Sequence, residues 1–218
     1  MLNYQSGLRA IQILVLSVFF VSFSHLSFSQ EPVDATVEGG FPETAHATIE
    51  KVTTELLSEL PALSASYDQS PEDFYKGIDR LVSPWIDYES FYKGVMGREY
   101  YTEATPEQRQ RFKEVFQQSL VETYGKGLLG ISETRFEIAP PVPVSGSSVP
   151  VQQTLYSGDG KVDVVYTMGQ TETGRWQLKN VILEGINLGK TFRNQFARSA
   201  RSYADDLDKV IENWSSEG

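Results

Sequence analysis

The stretch ATPEQRQRFKEVFQQSLVETYGKGLLG, residues 104–130, signals a helix three times over at its start. Thr105 is a good N-cap, Pro106 suits the first helical position, and Gln108 completes a Thr-x-x-Gln capping box. Glu107 places a negative charge at the positive end of the helix dipole. Phe112, Val115, Phe116, Leu120, Tyr124 and Leu128 then recur in steps of three and four, which puts them on one face. Gly125, Gly127 and Gly130 weaken the far end, and Gly130 is the expected stop. An aromatic helix face of this kind is either ordinary core or one wall of an apolar pocket, and its pattern alone serves both readings.

Working backwards, Trp85–Tyr101 carries a second aromatic helical face through Tyr88, Phe91, Tyr92, Val95 and Met96, with Gly94 and Gly97 as breaks. Before it, Ser70-Pro71 opens a helix bearing Phe74, Ile78, Leu81 and Val82 that stops short of Pro84. Ile49, Val52, Leu56, Leu57 and Leu60 predict a helix from Thr44 to Leu60, ended by Pro61 and followed by a loop over Ser64–Gln69.

Working forwards, the period changes from helical to alternating. Arg135–Ala139, Val149–Tyr156, Lys161–Met168 and Arg175–Leu183 predict strands joined by short turns at Ser157–Gly160 and Thr171–Gly174. Pro140, Pro141 and Pro143 mark an edge. Helices around Leu188–Ser199 and Tyr203–Trp214 close the chain. Helices, then an antiparallel meander, then helices define an α+β domain with helices packed on a curved sheet. Such a sheet leaves a cone-shaped interior that small side chains leave partly empty.

Composition narrows the function. At 218 residues the chain suits a single domain with appendages. Residues 1–29 read as a secretory signal peptide: Arg9, the apolar run Ile11–Phe23, and a small-x-small site at Ser27–Ser29. The mature domain is then 30–218, with Gln30–Gly40 a flexible leader, and the protein is expected to be exported and soluble. The absence of cysteine excludes disulfides, thiol catalysis, thiolate metal sites and a lipidated cysteine. His46 is the one histidine outside the signal, so no metal site is expected and no imidazole base beyond that residue. Loss of Arg9 takes the formal charge from −10 to −11. A chain this acidic is a poor partner for nucleic acid or an anionic membrane surface.

Several motifs, in order, carry a family resemblance. Tyr100-Tyr101, Ala104-Thr105-Pro106-x-Gln108-Arg109, Phe116, Tyr124-Gly125 and Leu128 are followed by Gly174-x-Trp176-Gln177, Val181-Ile182-x-Glu184-Gly185-Ile186 and Asn194-Gln195-Phe196. Over residues 81–214 this set resembles the MlaC (toluene-tolerance) family. The resemblance implies an NTF2-like, cystatin-related fold with a deep apolar cavity. It also implies a periplasmic phospholipid carrier that shuttles lipid between the outer and inner membranes and maintains outer-membrane lipid asymmetry. The implied partners are a phospholipid, an inner-membrane ABC transporter complex with an MCE-domain subunit, and an outer-membrane lipoprotein–porin complex. A monomer with no cofactor and no enzymatic activity is expected. The acidic balance departs from the neutral or basic balance associated with the family, which bears on the docking surfaces.

On this reading the cavity is lined by Phe91, Tyr92, Val95, Met96, Phe112, Val115, Phe116, Leu120, Tyr124 and Leu128. Val151, Val164, Tyr166, Met168, Trp176 and Leu183 close it from the sheet. Plain core packing is the alternative reading for each. Met96 and Met168 suit a surface that accepts varied chains. Lys190, Arg193, Arg198 and Arg201 are candidates to hold a headgroup, or else form a solvated face. Two other functions compete. One is an NTF2-like enzyme acting on an apolar substrate, with Asp163 and Tyr166 as an acid–base pair, although strand alternation points Asp163 to solvent. The other is a non-catalytic periplasmic adaptor whose aromatic faces are all core or partner interface.

Overall fold

The computed structural model describes residues 44–129, 134–143, 146–158 and 160–215. Residues 1–43, where the sequence predicts a signal peptide and a leader, lie outside the described residues, as do Gly130 and Asp159. Six helices pack with a five-stranded antiparallel sheet that is curved and unclosed.

Helix α1 spans Ala45–Ser66, capped where Thr44 Oγ1 accepts from the Ala47 amide at 3.1 Å. It runs straight through Pro61, where the sequence predicts an end. Pro61 sits on the exposed side, and one lost backbone bond is outweighed by burial of Leu60 and Leu63 against α2. Helix α2 (Pro71–Val82) starts at the Ser70 cap as expected.

The next helix begins later than its aromatic pattern suggests. Ser83–Trp85 form a single 3-10 turn, and Asp87 caps α3 (Tyr88–Glu103) by accepting from the Ser90 amide at 2.9 Å. Ile86 bridges to Leu178 of the sheet, and the Asp87 amide donates to the Leu178 carbonyl at 2.9 Å. This backbone pairing holds Trp85–Asp87 out of the helix. Of the two expected breaks only Gly97 is one: φ 74° and ψ 167° interrupt α3 there, a conformation essentially confined to glycine.

Helix α4 (Pro106–Lys126) carries the full capping box. The Gln108 amide donates to Thr105 Oγ1 at 3.2 Å, and the Thr105 amide to Gln108 Oε1 at 3.0 Å. It stops at Gly127, before the expected end at Gly130.

Strands β1 (Arg135–Ile138), β2 (Ser148–Ser157), β3 (Gly160–Gln170), β4 (Trp176–Leu183) and the short β5 (Ile186–Asn187) pair in sequence order. The β4–β5 turn, Glu184-Gly185, has positive φ at both residues, the pattern of a two-residue hairpin. A bulge at Lys179 shifts the register between β3 and β4. It explains why the apolar positions of β4 change phase, from Trp176 and Leu178 to Val181 and Leu183.

Helices α5 (Leu188–Ser202) and α6 (Leu207–Glu212) follow. The last helix is shorter than the sequence predicts because Ala204 and Asp205 adopt left-handed conformations and turn the chain between the two. Helix α1 crosses β2 and β4, while α3 and α5 rest on β4.

Candidate functional site

The described interior is divided. A compact domain usually has one contiguous core, but here three clusters of buried apolar side chains are separate. The first lies among α3, α4, α5 and α6. Its centre is aromatic: Phe112 meets Phe196 at 4.9 Å and Trp214 at 5.2 Å, and Phe116 meets Phe192 at 5.7 Å, all edge to face. The Trp214 indole N–H is satisfied by Ser119 Oγ at 3.1 Å. The second joins Ala45 and Ile49 of α1 to Val151 and Met168 of the sheet. The third joins Leu60, Phe74, Ile78 and Val121 among α1, α2 and α4.

The sequence-predicted residues fall on two walls. Phe91, Tyr92, Val95, Met96, Phe112 and Phe116 come together in the first cluster, none more than 6 % exposed. Val115, Leu120 and Tyr124 are half-buried on its rim, whereas Leu128 packs against the third cluster. The strand residues share the concave face of the sheet. In register, Val151 opposes Tyr166, Val164 opposes Leu183, and Gln170 opposes Trp176. Val151, Val164 and Met168 are buried; Tyr166, Trp176 and Leu183 are half-buried. Most of the fully buried residues therefore belong to packed clusters, and large, half-buried apolar side chains lie at their edges and on the sheet face.

Tyr166 is one of these half-buried side chains. Burial alone pushes its hydroxyl well above the ordinary tyrosine pKa, yet the residue keeps accessible surface. Tyr124 behaves in the same way, burial pushing its hydroxyl up to about 12.

Sequence reading missed the polar centre of the sheet face. Gln153 lies in phase with Val149, Val151 and Leu155 and is 0 % exposed. Its Oε1 accepts from the Tyr166 hydroxyl at 2.8 Å, and its Nε2 donates to Thr53 Oγ1 of α1 at 3.0 Å. A glutamine in an otherwise apolar alternation was the available signal. Phe192, central to the aromatic cluster, was also not singled out, and Phe196 entered only through a family motif.

Two surface hollows complete the geometry. One, about 370 Å³, is lined by His46, Glu50, Phe136, Ile138 and Ala139–Pro141. The other, about 410 Å³, lies among Ser83, Ile86–Glu89, Lys113, Gln117 and Gln177. Lys190, Arg193, Arg198 and Arg201 of α5 are exposed.

Asp163 points away from the concave face. Thr154 Oγ1 donates to it at 2.8 Å and Lys161 pairs with it at 3.2 Å. The hydrogen bond first and the ammonium second hold its carboxyl below the usual aspartate range. An exposed, stabilised carboxylate on the face opposite Tyr166 does not form an acid–base pair with it. Among the described residues, no group of three or more His, Asp or Glu side chains is arranged to hold a metal ion. No helix there is long and apolar enough to cross a membrane.

Helices packed on a curved, unclosed antiparallel sheet define an α+β domain. The family model described as MlaC protein matches residues 50–216, and the chain belongs to the MlaC family. The toluene tolerance protein ttg2D of Pseudomonas putida is 37% identical over 176 residues, 80% of this chain and 81% of that protein. Among solved structures, the phospholipid-binding protein from Ralstonia solanacearum, in complex with a phospholipid, matches with a TM-score of 0.68 at 22% identity. The match covers 77% of this chain and 93% of that one, and establishes the shared fold.

Proposed function

We propose that this chain is a periplasmic phospholipid carrier, exported by residues 1–29 and moving lipid between the outer and inner membranes. Its partners are an inner-membrane ABC transporter complex with an MCE-domain subunit and an outer-membrane lipoprotein–porin complex. The observation that carries the reading is the divided interior of an MlaC-family chain, with half-buried apolar side chains along the seams between sheet and helices. The acyl chains lie against Val115, Leu120, Tyr124, Leu128, Tyr166, Trp176 and Leu183. The fully buried residues, such as Phe112 and Phe116, support that wall from behind. The headgroup stays near solvent, because an unpaired phosphate is prohibitively costly to bury.

The energetics suit a carrier. Each methylene brought out of water gains about 0.8 kcal/mol, so a sixteen-carbon chain left exposed costs on the order of 12 kcal/mol. An apolar seam removes that cost while holding the chain about as well as a bilayer does. Exchange is then nearly balanced, and direction comes from the partners. No catalytic group is required, and Asp163, the one acid–base candidate, is directed elsewhere.

A transfer assay tests this. Donor vesicles carrying self-quenched fluorescent phosphatidylethanolamine are mixed with plain acceptor vesicles and the mature chain. Dequenching should rise in proportion to protein concentration; transfer that stays at the spontaneous rate would refute the carrier.

A further inference from the structure

Gln153 is wholly buried on an apolar sheet face, and its hydrogen bonding is incomplete. Oε1 accepts from Tyr166 Oη at 2.8 Å. Nε2 has two hydrogens but makes one bond among the described residues, to Thr53 Oγ1 at 3.0 Å. A buried amide hydrogen without an acceptor is costly, so one in a native interior calls for a partner. The bonds to Tyr166 at Oε1 and to Thr53 at Nε2 fix the amide, so that the spare N–H has a set direction.

The location of this group matters. Thr53 falls on α1 between Ile49, which packs on the sheet, and Leu56, which packs with α2 and α4. The amide therefore stands where α1 parts from the sheet and the apolar seam begins. Access from outside is close by. Ile138, in register with Gln153, and Glu50, one turn before Thr53, both line the hollow of about 370 Å³ at the surface.

We propose that Gln153, oriented by Tyr166 and Thr53, donates its free amide hydrogen to the carbonyl oxygen of an acyl ester as a lipid enters the seam. The protein thereby selects ester-linked over ether-linked lipids. This rests on the carrier reading and adds a chemical requirement to it: the lipid must present an acceptor where its headgroup region meets its chains. An ether oxygen is a much weaker acceptor than an ester carbonyl, whereas the hydrocarbon chains of the two lipid types are alike.

The test offers the mature chain vesicles of dioleoyl phosphatidylethanolamine or of its dioleyl-ether counterpart and measures the lipid retained by each. The wild type is expected to retain roughly three- to tenfold more of the ester lipid, the range one net hydrogen bond supplies. Gln153→Met, similar in length but without a donor, should bind both lipids equally. Tyr166→Phe, which frees the amide to rotate, should shrink the ratio. Equal retention of both lipids by wild type overturns the inference and leaves the carrier reading standing. An ester preference that survives in both variants overturns the assignment to Gln153, even if the variants are less stable. Retention of neither lipid overturns the carrier reading and this inference together. The wild-type comparison needs no variant, so a misfolded substitution does not remove the test.

Discussion

The Arg193 guanidinium lies against the Cα of Gly97, where an added methyl group would sit 3.3 Å from Nη2. Helix α3 breaks at Gly97 with a positive φ, and α5 closes over the break. Gly97→Ala combines a backbone conformation disfavoured for L-residues with a tight contact, and should cost about 1–3 kcal/mol. Gly94 is helical with no atom within 4 Å of its added methyl, so Gly94→Ala should gain about 0.5–1 kcal/mol. Thermal unfolding should lower the midpoint in the first variant and raise it in the second.

Phe112 and Leu183 separate core from lining. Phe112 is 0 % exposed at the centre of the aromatic cluster, and Phe112→Ala should lose about 3–5 kcal/mol through lost contacts and a cavity. Leu183 is half-buried on the concave face, so Leu183→Trp fills space along the seam. It should keep most of the stability and lose most of the lipid uptake. Denaturant midpoints and vesicle-uptake assays on both variants distinguish the roles; unchanged uptake in Leu183→Trp would remove that residue from the lining.

Asp87 ties α3 to the sheet. Burial raises its carboxyl pKa, but the Ser90 N–H and the Lys179 ammonium at 3.3 Å outweigh this and hold it below the ordinary range. A depressed carboxyl contributes stability that is present above the unfolded value of about 4 and is lost as pH falls through the folded one. Asp87→Ala should therefore cost about 1–2 kcal/mol at neutral pH, with the difference from wild type closing in acid. A gap in denaturant midpoint that stays constant down to about pH 2 would contradict this.

The buried tyrosines predict the opposite limb. Burial raises the hydroxyls of Tyr88, Tyr124 and Tyr166, Tyr124 to about 12. Groups whose folded pKa lies above the unfolded value of about 10 contribute stability fully present below that pH and lost as pH rises through the folded values. Stability should fall steeply above about pH 10, together with a late tyrosinate absorbance step. A complete tyrosine titration near pH 10 with the fold intact would contradict the burial of these rings.

Local chemistry made much of the fold legible. The capping box at Thr105, the cap at Ser70 and the alternation of β2 and β3 each depend on neighbours in the chain, and each is observed. What stayed hidden was long-range. Pro61 ends a helix by local rules, but Leu60 and Leu63 have a partner helix that holds α1 together beyond it. Trp85 and Ile86 fit a helical pattern, yet Leu178, far away in sequence, draws them onto the sheet. The candidate site was half legible for the same reason. Periodicity put Phe112 and Val115 on one face, but only the docking of α5 and α6 separates the buried ring from the half-buried lining. Gln153 was overlooked because a glutamine in a strand reads as exposed, unless its phase with Val151 and Leu155 is given more weight than its polarity.

The most direct measurement is native mass spectrometry of Gln30–Gly218, purified without detergent from a Gram-negative host. The carrier account predicts adducts with the masses of diacyl phospholipids that disappear on denaturation. A bare protein mass, with no adduct even after incubation with phospholipid vesicles, would contradict it.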